Sequence, residues 1–297
     1  MRILFATLLA AAAAPALAAL NIFACTPEWG ALAKELGGEK VAVYAASGAL
    51  QDPHRVEARP SLIAAARRAD LMICTGADLE IGWLPLVQSQ SGNPKIQAGR
   101  PGYLEAANHV PLLEKPGRID RSMGDVHPAG NPHIHLDPRN IASIAAVLSE
   151  RMMKLDPAEA AYYDGRARSF LERWREATTR WEQDAAPLRG VPVVVYHRNL
   201  TYMIRWLGMR EVGSLEPRPG LPPMTAHLTE LLGSLKRDPA KAIVRVAYND
   251  PRAAEWLSDR AGIPSIFVPY TVGGSDAAKD LFTLFADTVA RLLAVAK

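Results

Sequence analysis

Only two of the 297 residues are cysteine, Cys25 and Cys74, so the chain can close at most one disulfide. An excess of one charge is also lacking. Lys and Arg number 34 against 31 Asp and Glu, for a formal net charge of +3. The two signs are mixed along the chain, with no basic stripe and no interleaved aromatics, which argues against nucleic acid as a partner. Beyond the first residues no apolar run approaches the ~20 residues that cross a bilayer. No short metal-ligand spacing such as HExxH occurs, so any metal site must be assembled from distant segments.

The chain begins Met1-Arg2, continues as an apolar run from Ile3 to Ala14, and carries the small-x-small triplet Ala16-Leu17-Ala18. Residues 1–18 are therefore expected to be a secretory signal peptide, cleaved before Ala19. Cys25 lies too far past that run to be a lipid acceptor, which makes the expected product a soluble exported protein without a lipid anchor. In an oxidising compartment Cys25 and Cys74 are expected to pair, two buried thiols being the alternative.

Short apolar runs alternate with helical patterns. Leu20 to Cys25, Val41 to Ala46 and Leu71 to Thr75 read as strands, with helices at Trp29 to Leu36 and Leu62 to Ala69 between them. Ile81 to Ser91 and Asn140 to Lys154 read as further helices, the second after a Gly- and Pro-punctuated stretch with a mobile loop at 114–130. Asp156-Pro157 is a helix start, and no proline follows until Pro187. About 30 helical residues span roughly 45 Å, which suits a connector between two lobes. The β-branched run Val191 to Tyr196 then opens a second α/β half, in which Val212 to Leu215, Ala242 to Ala247 and Ser265 to Val268 are strands and Asp276 to Val295 is the last helix. The expected fold is α/β: two lobes with mostly parallel sheets joined by one long connecting helix. The expected boundaries are 19–155, 156–187 and 188–297.

Three of the seven histidines fall within Gly124 to Pro138, namely His127, His133 and His135. Imidazole is the commonest protein ligand for zinc and similar metals. His133 reads as one corner of a metal site, with His54 and His197 as distant partners. Both of these follow apolar strands, where open α/β sheets place ligands. A surface loop that happens to be His-rich is the plainer reading of this stretch.

Several segments together resemble the zinc and manganese solute-binding proteins of ABC importers. They are Asp52-Pro53-His54 with Pro60-Ser61, then Gly76 to Glu80 with Trp83-Leu84, then Asn131-Pro132-His133 with Leu136-Asp137-Pro138. Val195-Tyr196-His197 with Tyr202 follows, and finally Glu216-Pro217 with His227-Leu228. The resemblance implies a metal site in the cleft between the lobes, with Zn2+ as cargo rather than a reaction to catalyse. It implies a role too: a monomer that captures metal in the periplasm and delivers it to an inner-membrane ABC permease, with loading by a periplasmic metallochaperone left open. Carried over residue by residue, the ligands fall on His54, His133 and His197. Histidine at the third position is similar to the zinc-type members, whereas a carboxylate there marks the manganese type. The family often has an Asp after the final strand, where this chain has Val272, so Asp276 is expected as the fourth ligand, with Asp280 or water as alternatives. A manganese or iron carrier of the same fold is the alternative cargo. A secreted zinc hydrolase is the rival class, with Glu57 as its only nearby candidate base. His127 is expected to collect or hand over metal if it has a metal role, and His135 to pack.

Overall fold

In a computed structural model, residues 19–117, 124 and 126–295 are described. The expected signal peptide lies outside them, as do residues 118–123 and 125 of the expected loop at 114–130. The first half contains strands β1 (Leu20–Ala24), β2 (Val41–Ala45), β3 (Leu71–Cys74) and β4 (Tyr103–Glu105). Helices α1 (Pro27–Gly37), α2 (Pro60–Arg68) and α3 (Leu84–Ser91) connect them, and α4 (Pro138–Leu155) closes the half. The strand order is β2-β1-β3-β4, with every pair parallel.

The second half contains β5 (Pro192–Val195), β6 (Arg210–Ser214), β7 (Ala242–Val246) and β8 (Ser265–Val268), ordered β6-β5-β7-β8, again all parallel. Its helices are α6 (Thr201–Trp206), α7 (Thr225–Leu235), α8 (Pro251–Ala261) and the terminal α9 (Leu281–Leu293). The two sheets thus share one topology, although the halves show no residue-level repeat. Apolar runs such as Leu71–Cys74, buried throughout, follow from helices covering both faces of a parallel sheet.

Between the halves runs α5 (Ala160–Asp184), whose 25 residues extend for roughly 38 Å. Its buried residues, Tyr163, Ala167, Phe170, Trp174, Ala177 and Trp181, recur at intervals of three and four, which gives the helix one apolar stripe. The stripe is not a bare connector. Trp174 donates its indole N–H to the Pro138 carbonyl of α4 and packs edge-on to Phe282 and Phe285 of α9, while Trp181 stacks on Phe285. One continuous hydrophobic core therefore runs from β1 through α5 to α9 and spans both lobes.

The last helix starts later than the sequence suggests, at Leu281. Asp280 is its N-cap, accepting from the Thr283 backbone N–H, while the Thr283 hydroxyl accepts from the Asp280 N–H. That reciprocal pair satisfies the first-turn donors and fixes the start. Cys25 and Cys74 form a disulfide between the carboxyl ends of the neighbouring strands β1 and β3, with a Cα–Cα distance of 4.8 Å. Among the described residues no helix is long and apolar enough to cross a membrane.

Beside the disulfide, Glu80 is buried, and burial pushes its carboxyl up to about 7 despite backbone N–H groups donated by Thr75 and Gly76. Between pH 4.5 and 7 the unfolded chain releases this proton while the folded one keeps it, so stability is lost as pH rises through that window. The loss should total roughly 3 kcal/mol. Denaturation of wild type and Glu80→Gln from pH 4 to 8 should show the wild type losing that much relative to the variant. A constant difference between them would contradict this account.

Candidate metal centre

Each of three histidines is delivered by a different local device. His54 lies in the short turn Pro53–Arg55 that follows β2. Asp52 caps the turn: its Oδ1 accepts the His54 backbone N–H at 3.0 Å and the ring Nδ1–H at 2.8 Å. Burial raises the Asp52 pKa, but the hydrogen bonds and charge of His54 outweigh it, and the net shift is downward. His197 lies two residues past the end of β5, and its Nδ1–H donates to Glu216 Oε2 at 2.7 Å. Glu216 Oε2 also accepts the Gly220 N–H, which ties the proline-rich loop to the site.

His133 lies at the end of the Asn131-Pro132 turn, its backbone N–H donating to Asn131 Oδ1. Asn131 is itself held through Nδ2 to Glu114 and to the Arg198 carbonyl, and its own carbonyl accepts the Tyr202 hydroxyl. The His133 ring is 1% exposed, and its Nδ1 lies 2.8 Å from the Tyr270 hydroxyl, just beyond β8. Burial above all, then the neighbouring imidazoles, holds its pKa well below the usual histidine value, so the ring is neutral and its lone pair available.

With every Nδ1 engaged, Nε2 is the atom each ring leaves for a ligand. Ring centroids lie 5.4 Å apart for His54–His133, 5.9 Å for His54–His197 and 5.4 Å for His133–His197, with planes nearly perpendicular. One nitrogen from each of the three lies within 4.8 Å of the others, a spacing that could hold a metal ion. Carboxylate or hydroxyl partners at Nδ1 are the usual means of setting the tautomer and orientation of a metal-binding histidine. The cluster borders a cleft of about 660 Å3, lined among others by Asp52, Tyr248 and Arg252.

Asp276 does not join this group. It stands exposed in the turn before α9, and Asp280 is committed to capping that helix. The last helix, expected from Asp276, begins five residues later, so Asp276 does not sit at its N-terminus either. His135 is buried in packing, as the sequence suggests, with Nε2–H donating to the Tyr270 carbonyl and Nδ1 3.6 Å from Glu28. His227 donates to the Ser214 carbonyl, and His109 is exposed. Sequence reasoning missed Asp52, Tyr270 and Glu28. Only Asp52 carried a local signal, its two-residue spacing before His54 being that of an Asx turn. His127, assigned to metal collection at most, is brought against His54, with 3.3 Å between their Nε2 atoms.

Two like α/β lobes, with a helix built into their shared core, thus bring together an imidazole cluster that could hold a metal ion. The chain belongs to the family described as zinc-uptake complex component A, periplasmic, whose family model matches residues 22–295. It is similar to the high-affinity zinc uptake system protein ZnuA of Brucella abortus, with 24% identity over 127 residues, 43% of this chain but only 38% of that protein. It is also similar to the manganese ABC transporter substrate-binding lipoprotein scaA of Streptococcus gordonii, with 23% identity over 154 residues, 52% of this chain and 47% of that protein. A crystal structure of ZnuA superposes with a TM-score of 0.77 at 20% identity, covering 93% of this chain and 98% of that one, and this likeness carries the fold.

Tyr270→Phe removes the hydroxyl that partners His133 Nδ1 and leaves a buried polar atom unsatisfied. The metal-free variant should lose about 1–3 kcal/mol of stability. Its zinc affinity should drop about 10–100-fold. Thermal melts and a competitive zinc titration that both match wild type would show that the hydroxyl does not position His133.

Proposed function

We propose that this protein is a periplasmic carrier that captures Zn2+ through His54, His133 and His197 and delivers it to the permease of an ABC-type importer, without catalysing a reaction. The observation that carries this reading is the convergence of three imidazoles, each with Nδ1 held by a carboxylate or a phenol and Nε2 left over. Imidazole donors suit zinc, whereas manganese prefers oxygen-rich octahedral sets. On this reading the working unit is residues 19–297, exported by a signal peptide at 1–18 and acting as a soluble monomer. Residues 19–155 and 188–297 are its lobes, and 156–187 connects them. The names of the matched relatives, one a zinc uptake protein and one a manganese transporter protein, support metal transport and frame the choice of cargo.

A competitive titration of chelator-stripped protein tests this proposal. One tight zinc site per chain, weaker manganese and a loss of at least about tenfold in zinc affinity for His197→Ala are the expected results. Tight manganese binding, or zinc binding indifferent to His197, would reject zinc as the cargo of this site.

A further inference from the structure

A tetrahedral zinc site needs a fourth donor, and Asp276, exposed before α9, does not supply it. Val272, a few residues before it, has no donor atom in its side chain. We infer that His127 is the fourth zinc ligand, an inference that rests on the carrier reading above.

Zinc–imidazole bonds of about 2.0–2.1 Å at the tetrahedral angle place two ligand nitrogens about 3.3 Å apart. His54 Nε2 and His127 Nε2 are 3.3 Å apart, and their ring centroids are separated by 5.4 Å, the same spacing as His54–His133 and His133–His197. The His54 Nδ1–H is donated to Asp52, so its Nε2 carries a lone pair on the side that faces His127. His127 also lines a second cleft together with His133 and His197. His127 Nε2 therefore stands at the His54 corner of the cluster, outside the set of three whose nitrogens all lie within 4.8 Å of one another.

The segment that carries His127 is shaped to sit there. His127-Pro128-Ala129-Gly130 is a turn closed by Gly130 N–H to the His127 carbonyl, with proline at its second position and glycine at its fourth. Upstream, Gly124 has φ +82°, and a Cβ there would meet the Pro219 carbonyl at 2.2 Å, so glycine is required where the segment rests on the second lobe. Pro219 lies in the loop that Glu216 ties to His197. Two ligands are thereby positioned by facing loops, one from each lobe, and neither loop belongs to a sheet.

X-ray absorption of the zinc-loaded protein, paired with competitive zinc titration, tests this. Wild type should fit four imidazole nitrogens at about 2.0–2.1 Å, and His127→Ala three with one oxygen. The variant should lose at least about tenfold in affinity, while Asp276→Ala should match wild type in both readouts. Far-UV circular dichroism confirms that the variants fold. If His127→Ala keeps the wild-type spectrum and affinity while His197→Ala loses zinc, the 3.3 Å contact is only a ring-to-ring hydrogen bond, and His127 is rejected with the carrier reading intact. Wild type that takes up no zinc rejects the carrier reading and this assignment together.

Discussion

The seam around Tyr270 is the constraint on which the site depends. From the loop after β8, its hydroxyl meets His133 Nδ1 and its carbonyl accepts the His135 Nε2–H, while the next residue, Thr271, donates its hydroxyl to Glu28 of α1. Tyr270, His135, Glu28 and Thr271 are all at most 2% exposed. Hydrogen bonds in such an environment are costly to break, because each partner would be stranded without water. The two lobes are therefore joined at the same point that aims the central ligand.

The apolar structure reinforces that seam. The Trp174 and Trp181 stripe of α5 packs on Phe282 and Phe285 of α9, so the helix that links the lobes is also the middle of their common core. A hinge between the lobes would have to open this aromatic cluster as well as the polar seam. The His127 turn and the 216–220 loop stand at the rim of the site, outside this core. The carboxylates Asp52 and Glu216 anchor the outer two histidines from such loops, whereas the central one is anchored by a phenol from the buried seam.

Much of this was legible in the sequence, for identifiable reasons. Buried parallel strands demand apolar runs, and α5 demands a stripe with a three-four spacing, so both leave a periodic trace. His54 and His197 follow strand ends, a position that topology favours for ligands. Tyr270 and Glu28 left no such trace, since one aromatic and one acid acquire meaning only when the two halves come together. Asp276, expected because it is the nearest carboxylate after Val272, stands exposed, and the capping box at Asp280 and Thr283 starts the last helix beyond it. His127 lay in a segment whose sequence specifies a turn but not what the turn faces.

The central claim is that the lobes are fixed relative to each other before metal arrives, and small-angle X-ray scattering of the chelator-stripped and zinc-loaded protein tests it most directly. Curves that superimpose, with the same radius of gyration, are the result this account predicts. A clear contraction on adding zinc would mean that the Tyr270 seam forms only with metal, and would contradict it.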